Sequence, residues 1–168
     1  MSEPTIVPTS TEPAIRVLMM PRDTNAQGTI FGGVILSYID QAGAIEARRQ
    51  GAQMMVTVAM DQVVFHAPVF VGDLVTFRTE CLRIGTSSIA IRVRVEANRW
   101  LHPDEKVLVT EAEVTYVNIG EDRKPQPLEK ARDRRPEARS QKPEVKAKAE
   151  GRRKKAEVKA KAEGRRKK

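Results

Sequence analysis

Between residues 33 and 50 the apolar side chains recur at helical spacing, and between residues 54 and 119 they recur at every second position, in four separate runs. That change of period constrains the fold more than any other feature. Ile35, Ile39 and Ala42 are spaced i, i+4, i+7, and Leu36 and Gly43 widen the same face. Arg48 and Arg49 suit the negative pole of such a helix, and Gly51 stands where it should stop. The runs "MVTVAMDQVVF", "DLVTFRTECLR", "SIAIRVRVEANRW" and "VLVTEAEVTYVNI" then alternate like strands. In the second, Val75, Phe77, Thr79 and Cys81 share a face; in the third, Ile89, Ile91, Val93 and Val95 do. "HAPVFVGD", "RIGTS" and "LHPDEK" separate the runs as turns. One helix and four long antiparallel strands make an α+β fold whose sheet lays one face on the helix. A short run, "AIRVLMM", adds an edge strand that ends at Pro21.

About 110 residues with a single helix cannot cover both faces and both edges of such a sheet. Pairing between copies, through an edge or the helix, is therefore expected, at least as a homodimer.

Charge divides the chain. Of 30 basic and 22 acidic residues, 20 basic and 9 acidic lie in residues 121–168, leaving 10 and 13 in residues 1–120. The basicity belongs to the tail, so any attraction to nucleic acid or other anionic polymers is expected of the tail alone. The tail ends in a repeat, "EVKAKAEGRRKK", at 144–155 and again at 157–168, with little apolar surface to bury. It is expected to be disordered or a solvated helix, and residues 1–11 a loose arm. The lone Cys81, a small core residue by its place on a strand, rules out an intrachain disulfide framework and fits a reducing, cytoplasmic setting. No stretch approaches the roughly 20 apolar residues that span a bilayer, and no membrane insertion is expected. Two histidines and one cysteine, far apart, assemble no metal set.

The chemistry centres on "PRDTNAQGTIFGGVILSYIDQAGAIEARRQG". Asp40 and Glu46 both border the apolar stripe of the helix. Gly43, one turn after Asp40, is expected to leave room for a ligand there. Glu46 lies near Arg48 and Arg49, where a surface ion pair is the ordinary outcome. Gly32 and Gly33 open the helix, and unpaired amides at a helix start hold anions and developing oxyanions. Seven residues at about 1.5 Å each put Asp40 about 10 Å from its own helix start. A site using both therefore needs the carboxylate of one protomer and the helix start of another.

"DTNAQGTIFGGVILSYID" resembles the signature of the hotdog-fold acyl-CoA thioesterases, in which an antiparallel sheet wraps one long central helix. "FHAPVFVGDLV", "CLRIGTSSIAIRVRVEA" and "EAEVTYVNIGEDRKPQPL" resemble later landmarks of that family, in order, so the resemblance covers residues 12–128 and leaves out 129–168. It implies hydrolysis of acyl-CoA to free acid and CoA, with no metal or other cofactor. It implies that Asp40 is the general base or nucleophile, with Asn25 completing the site from the other subunit. Amides near Gly33 would polarise the thioester carbonyl. The turn Gly85, Thr86, Ser87, Ser88, with Arg83 before it, would lie against the CoA nucleotide. A trimer of dimers is the implied assembly. Glu46 departs from the family pattern, which has an aliphatic residue there. A carboxylate against an apolar wall is a better base, and an amide such as Asn25 can orient water or carbonyl without changing charge.

Two other readings compete. A hotdog dehydratase would use a histidine, and His66 is the candidate, although it follows a strand instead of opening a pocket loop; His102 is a turn residue. A non-catalytic acyl-CoA sensor, with "GRRKK" clusters on anionic partners, would need no acid on an apolar flank.

Overall fold

The computed structural model describes residues 10–61, 63–102 and 104–128, so the tail beyond residue 128 and the first nine residues lie outside the described region. The chain runs β1 (Ile15–Leu18), a 3-10 turn (Pro21–Asp23), α1 (Gly32–Arg49), β2 (Met55–Asp61), β3 (Leu74–Ile84), β4 (Ser88–Asn98) and β5 (Lys106–Asn118). All five strands form one sheet in the order β1-β3-β4-β5-β2, every neighbouring pair antiparallel. The expected helix and strands are all present. The first run stops at Asp61 and does not reach Phe65, because the chain ahead of Pro68 leaves the sheet as a loop.

α1 packs across β3, β4 and β5. Its stripe of Ile35, Ile39 and Ala42 is buried against the inner face, where Val75, Phe77, Ile91, Val93, Val95 and Val114 are inaccessible to solvent. The other face carries charge: Arg94 reaches Glu111 across β4–β5 at 2.7 Å, and Arg92 reaches Glu80 across β3–β4 at 3.1 Å. Those exposed pairs contribute little; the buried aliphatic layer holds the helix. Register slips between Thr57 and Ala59, Cys81 and Arg83, and Val95 and Glu96 mark irregularities of the kind that sharpen twist and bend a sheet around its core.

The helix ends as its sequence foretells. Gly51 takes φ +124°, its N–H bonds the Arg48 carbonyl, and the Ala52 N–H bonds that of Ala47. These two bonds are the Schellman pattern, and a side chain at Gly51 would strain it. No helix among the described residues is long and apolar enough to cross a membrane.

Candidate active site

The loop before the helix is organised by Asn25. Its Oδ1 accepts the N–H groups of Gln27 and Thr29 at 2.9 and 3.2 Å, and its Nδ2 donates to Thr29 Oγ1 at 2.9 Å. One amide N–H of Asn25 remains without an acceptor among the described residues. The loop delivers the chain to Phe31, the N-cap, which supplies no side-chain cap to the helix. Val34 N–H bonds the Phe31 carbonyl at 2.9 Å, and Gly32, the first helical residue, borders a cavity of about 280 Å³ lined also by Thr29, Ile35, Phe65, His66 and Val69 among others. A Cβ on Gly33 would run into the Phe31 ring, so this glycine allows the close turn into the helix. His66, expected to lie outside any pocket loop, lines this cavity; the β2–β3 loop folds back over the helix start to put it there.

Asp40 lies two turns further along, half-buried on the flank of the helix that meets β2 and β5. The Thr57 hydroxyl donates to its Oδ1 at 2.6 Å. The Tyr116 hydroxyl donates to its backbone carbonyl at 2.7 Å and lies 3.5 Å from Oδ1. Burial first, and then the Asp40 charge, push the Tyr116 phenol upward from its usual range, so it stays a donor. The expectation for Gly43 is corrected here. The room it leaves is taken by Tyr116, whose hydroxyl a Cβ at Gly43 would strike, so no space for a ligand is left there.

The β3–β4 turn lies at the same end of the sheet as Asp40. Ser88 registers with Val117, next to the Ile89–Tyr116–Thr57 row that faces Asp40. Gly85 N–H bonds the Ser88 carbonyl at 2.7 Å, the Ser87 carbonyl accepts Asn118 N–H, and the Thr86 carbonyl accepts Leu128 N–H. Arg83, just before the turn, is exposed. Within one protomer the fold thus puts the Gly85–Ser88 turn one register position from the Tyr116 pair that meets Asp40 in mid-helix, and puts Asn25, Gly32 and Gly33 at or before the helix start.

Glu46 is also corrected. It makes no surface ion pair: it is 2 % exposed. Arg49 Nε and Nη2 grip its two oxygens at 2.9 and 2.8 Å, and Gln50 Nε2 adds a bond at 2.7 Å. This carboxylate is committed to the helix end and faces β3, whose Thr79 hydroxyl is 3.5 Å away. Burial, and then the charge of Glu46, push the Cys81 thiol up to about 11, so it is a poor nucleophile at neutral pH.

Thr57 and Tyr116 escaped the reading of the sequence. A threonine inside "MVTVAM" and a tyrosine inside "EVTYVN" look like ordinary strand residues. Only the register of β2 on β5, which sets them opposite each other, turns both hydroxyls on Asp40.

A single helix packed across an antiparallel sheet is the architecture that the resemblance to the hotdog-fold thioesterases implies. The thioesterase superfamily model matches residues 27–99. The acyl-CoA thioester hydrolase YciA of Salmonella typhimurium is 40% identical over 119 residues, which is 70% of this chain and 90% of that protein. A hexameric hotdog-fold thioesterase of Campylobacter jejuni is 43% identical with a TM-score of 0.66, over 70% of this chain and 90% of that one. A hexameric broad-specificity acyl-coenzyme A thioesterase, solved with one aspartate changed to alanine, is 37% identical with a TM-score of 0.66, over 70% and 86%. The chain belongs to the acyl-CoA thioester hydrolase family.

Proposed function

We propose that this protein hydrolyses acyl-CoA thioesters to the free acid and CoA at a site shared between two protomers, with residues 12–128 as the catalytic domain. The observation that carries the reading is the setting of Asp40: its Oδ1 is fixed by Thr57 beside the open edge of β2, while its own helix start is about 10 Å away. A second copy brings the missing half. Its Gly32 and Gly33 amides polarise the thioester carbonyl, and the free amide N–H of its Asn25 orients water or carbonyl. Asp40 then either takes the proton of an attacking water, or attacks the carbonyl itself to form a mixed anhydride that water afterwards hydrolyses; in both routes the C–S bond breaks, the CoA thiolate leaves and the free acid is released. Arg83 and the Gly85–Ser88 turn take the CoA nucleotide. Solved relatives named as hexamers support a trimer of dimers. A single buried cysteine supports a reducing, cytoplasmic setting.

The test is release of thiol from a generic acyl-CoA. Asp40→Asn is expected to lower kcat at least a hundred-fold, since positioned acid–base groups contribute about 10²–10⁴. Binding of acyl-CoA without thiol release, by wild type and variant alike, would make the protein a sensor. Residues 129–168 attract anionic polymers only weakly and through charge. Truncation after Leu128, which keeps the bond from Leu128 to Thr86, is expected to leave turnover near wild type at moderate salt.

A further inference from the structure

Tyr116 is buried on the inner face of β5, and its hydroxyl spends its hydrogen on the main chain of the helix residue that bears the catalytic acid. Buried phenols usually find some acceptor, so the bond alone says little. Two further observations give it a purpose. The first is Gly43. A Cβ there would strike the Tyr116 hydroxyl and come within 3.1 Å of two ring carbons. Glycine inside a helix is less favourable than alanine, yet it stands in the notch the phenol fills. The second is the cross-strand pair. Thr57 and Tyr116 are register partners on β2 and β5, and both hydroxyls reach Asp40, one its carboxylate and the other its carbonyl. Directly after Thr57 the β2 register slips. The helix therefore needs a fixed reference if the carboxylate is to meet that hydroxyl.

We propose that Tyr116, seated in the Gly43 notch, is a positioning residue that fixes Asp40 against Thr57 and so sets its carboxylate for its part in thioester hydrolysis. The inference rests on the catalytic role given to Asp40. A phenylalanine at 116 would fill the same layer but leave the Asp40 carbonyl with its helical hydrogen bond alone, and the acid could shift by a fraction of an ångström.

The experiment compares steady-state hydrolysis of one acyl-CoA by wild type, Tyr116→Phe, Asp40→Asn, Gly43→Ala and their pairs. Tyr116→Phe is expected to lower kcat about five-fold, the range of one lost hydrogen bond, and to leave KM within about two-fold. In the Asp40→Asn background the same change should alter the residual rate less than about two-fold, because no acid remains to be positioned. Gly43→Ala should also lower kcat, and adding Tyr116→Phe should recover part of the loss by removing the struck hydroxyl. A wild-type kcat in Tyr116→Phe, or an equal loss in both backgrounds, would overturn the positioning role. Full activity in Asp40→Asn is a separate result, and it removes the catalytic reading itself.

Discussion

Thr57 donates a hydrogen bond to a carboxylate oxygen while standing on an exposed strand, so its removal should affect chemistry far more than folding. Hydrogen bonds to charged groups contribute about 1.5–3 kcal/mol, a factor of roughly ten or more in rate when the bond holds the reacting group. Thr57→Val keeps the branched shape that suits a strand. It is expected to lower kcat at least about ten-fold and to move the thermal midpoint by only a few degrees, checked by thiol release and calorimetry. An unchanged kcat would mean that the hydroxyl only decorates Asp40. This residue also shows where sequence reading stops. Asn25, Gly32, Gly33 and Asp40 lie within sixteen positions of one another, so the roles proposed for them rest on a local pattern. Thr57 and Tyr116 lie 17 and 76 positions from Asp40, and they meet it only through a strand register no local pattern encodes. Gly43 was misread for the same reason, since the group that fills its notch comes from the last strand.

At the level of elements, period alone was enough to place one helix and four long strands, because burial of one face leaves its mark on every second or every third and fourth residue. It could not say what a charge on the buried side does. Glu46 falls on the apolar stripe, and its partners are Arg49 and Gln50 on the next turn and Thr79 on β3. The structure resolves the conflict by burying the carboxylate with donors supplied. Removing one partner of such a pair costs more than the pair contributes, because a buried charge is left uncompensated. Arg49 is itself partly exposed, which moderates the penalty. Arg49→Met is expected to destabilise the fold by about 2 kcal/mol, and Glu46→Leu together with Arg49→Met to recover most of that loss. Urea unfolding of the two variants checks the prediction; equal losses in both would show that packing of the helix end, and not the charge, was responsible.

In the whole molecule the sheet has two unequal edges. β1 is four residues long, whereas β2 is seven, and on it Val56 and Val58 are 43% and 55% exposed. A long apolar edge on a single chain is a template for another strand. It is also the edge beside Asp40, so the surface that must be covered and the acid that needs a second helix start are the same region. On the proposed shared site, assembly and catalysis are one equilibrium: separated protomers would each keep an acid and a helix start about 10 Å apart, too far to act on one carbonyl. Lysines at both positions, Val56→Lys with Val58→Lys, place like charges on the edge and oppose its pairing. The variant is expected to sediment as a smaller species and to lose at least about ten-fold in specific activity at low protein concentration. Part of that loss should return as concentration rises, because mass action restores the shared site. A monomer that hydrolyses acyl-CoA at the wild-type rate, independent of its concentration, would mean that one chain carries the whole active site.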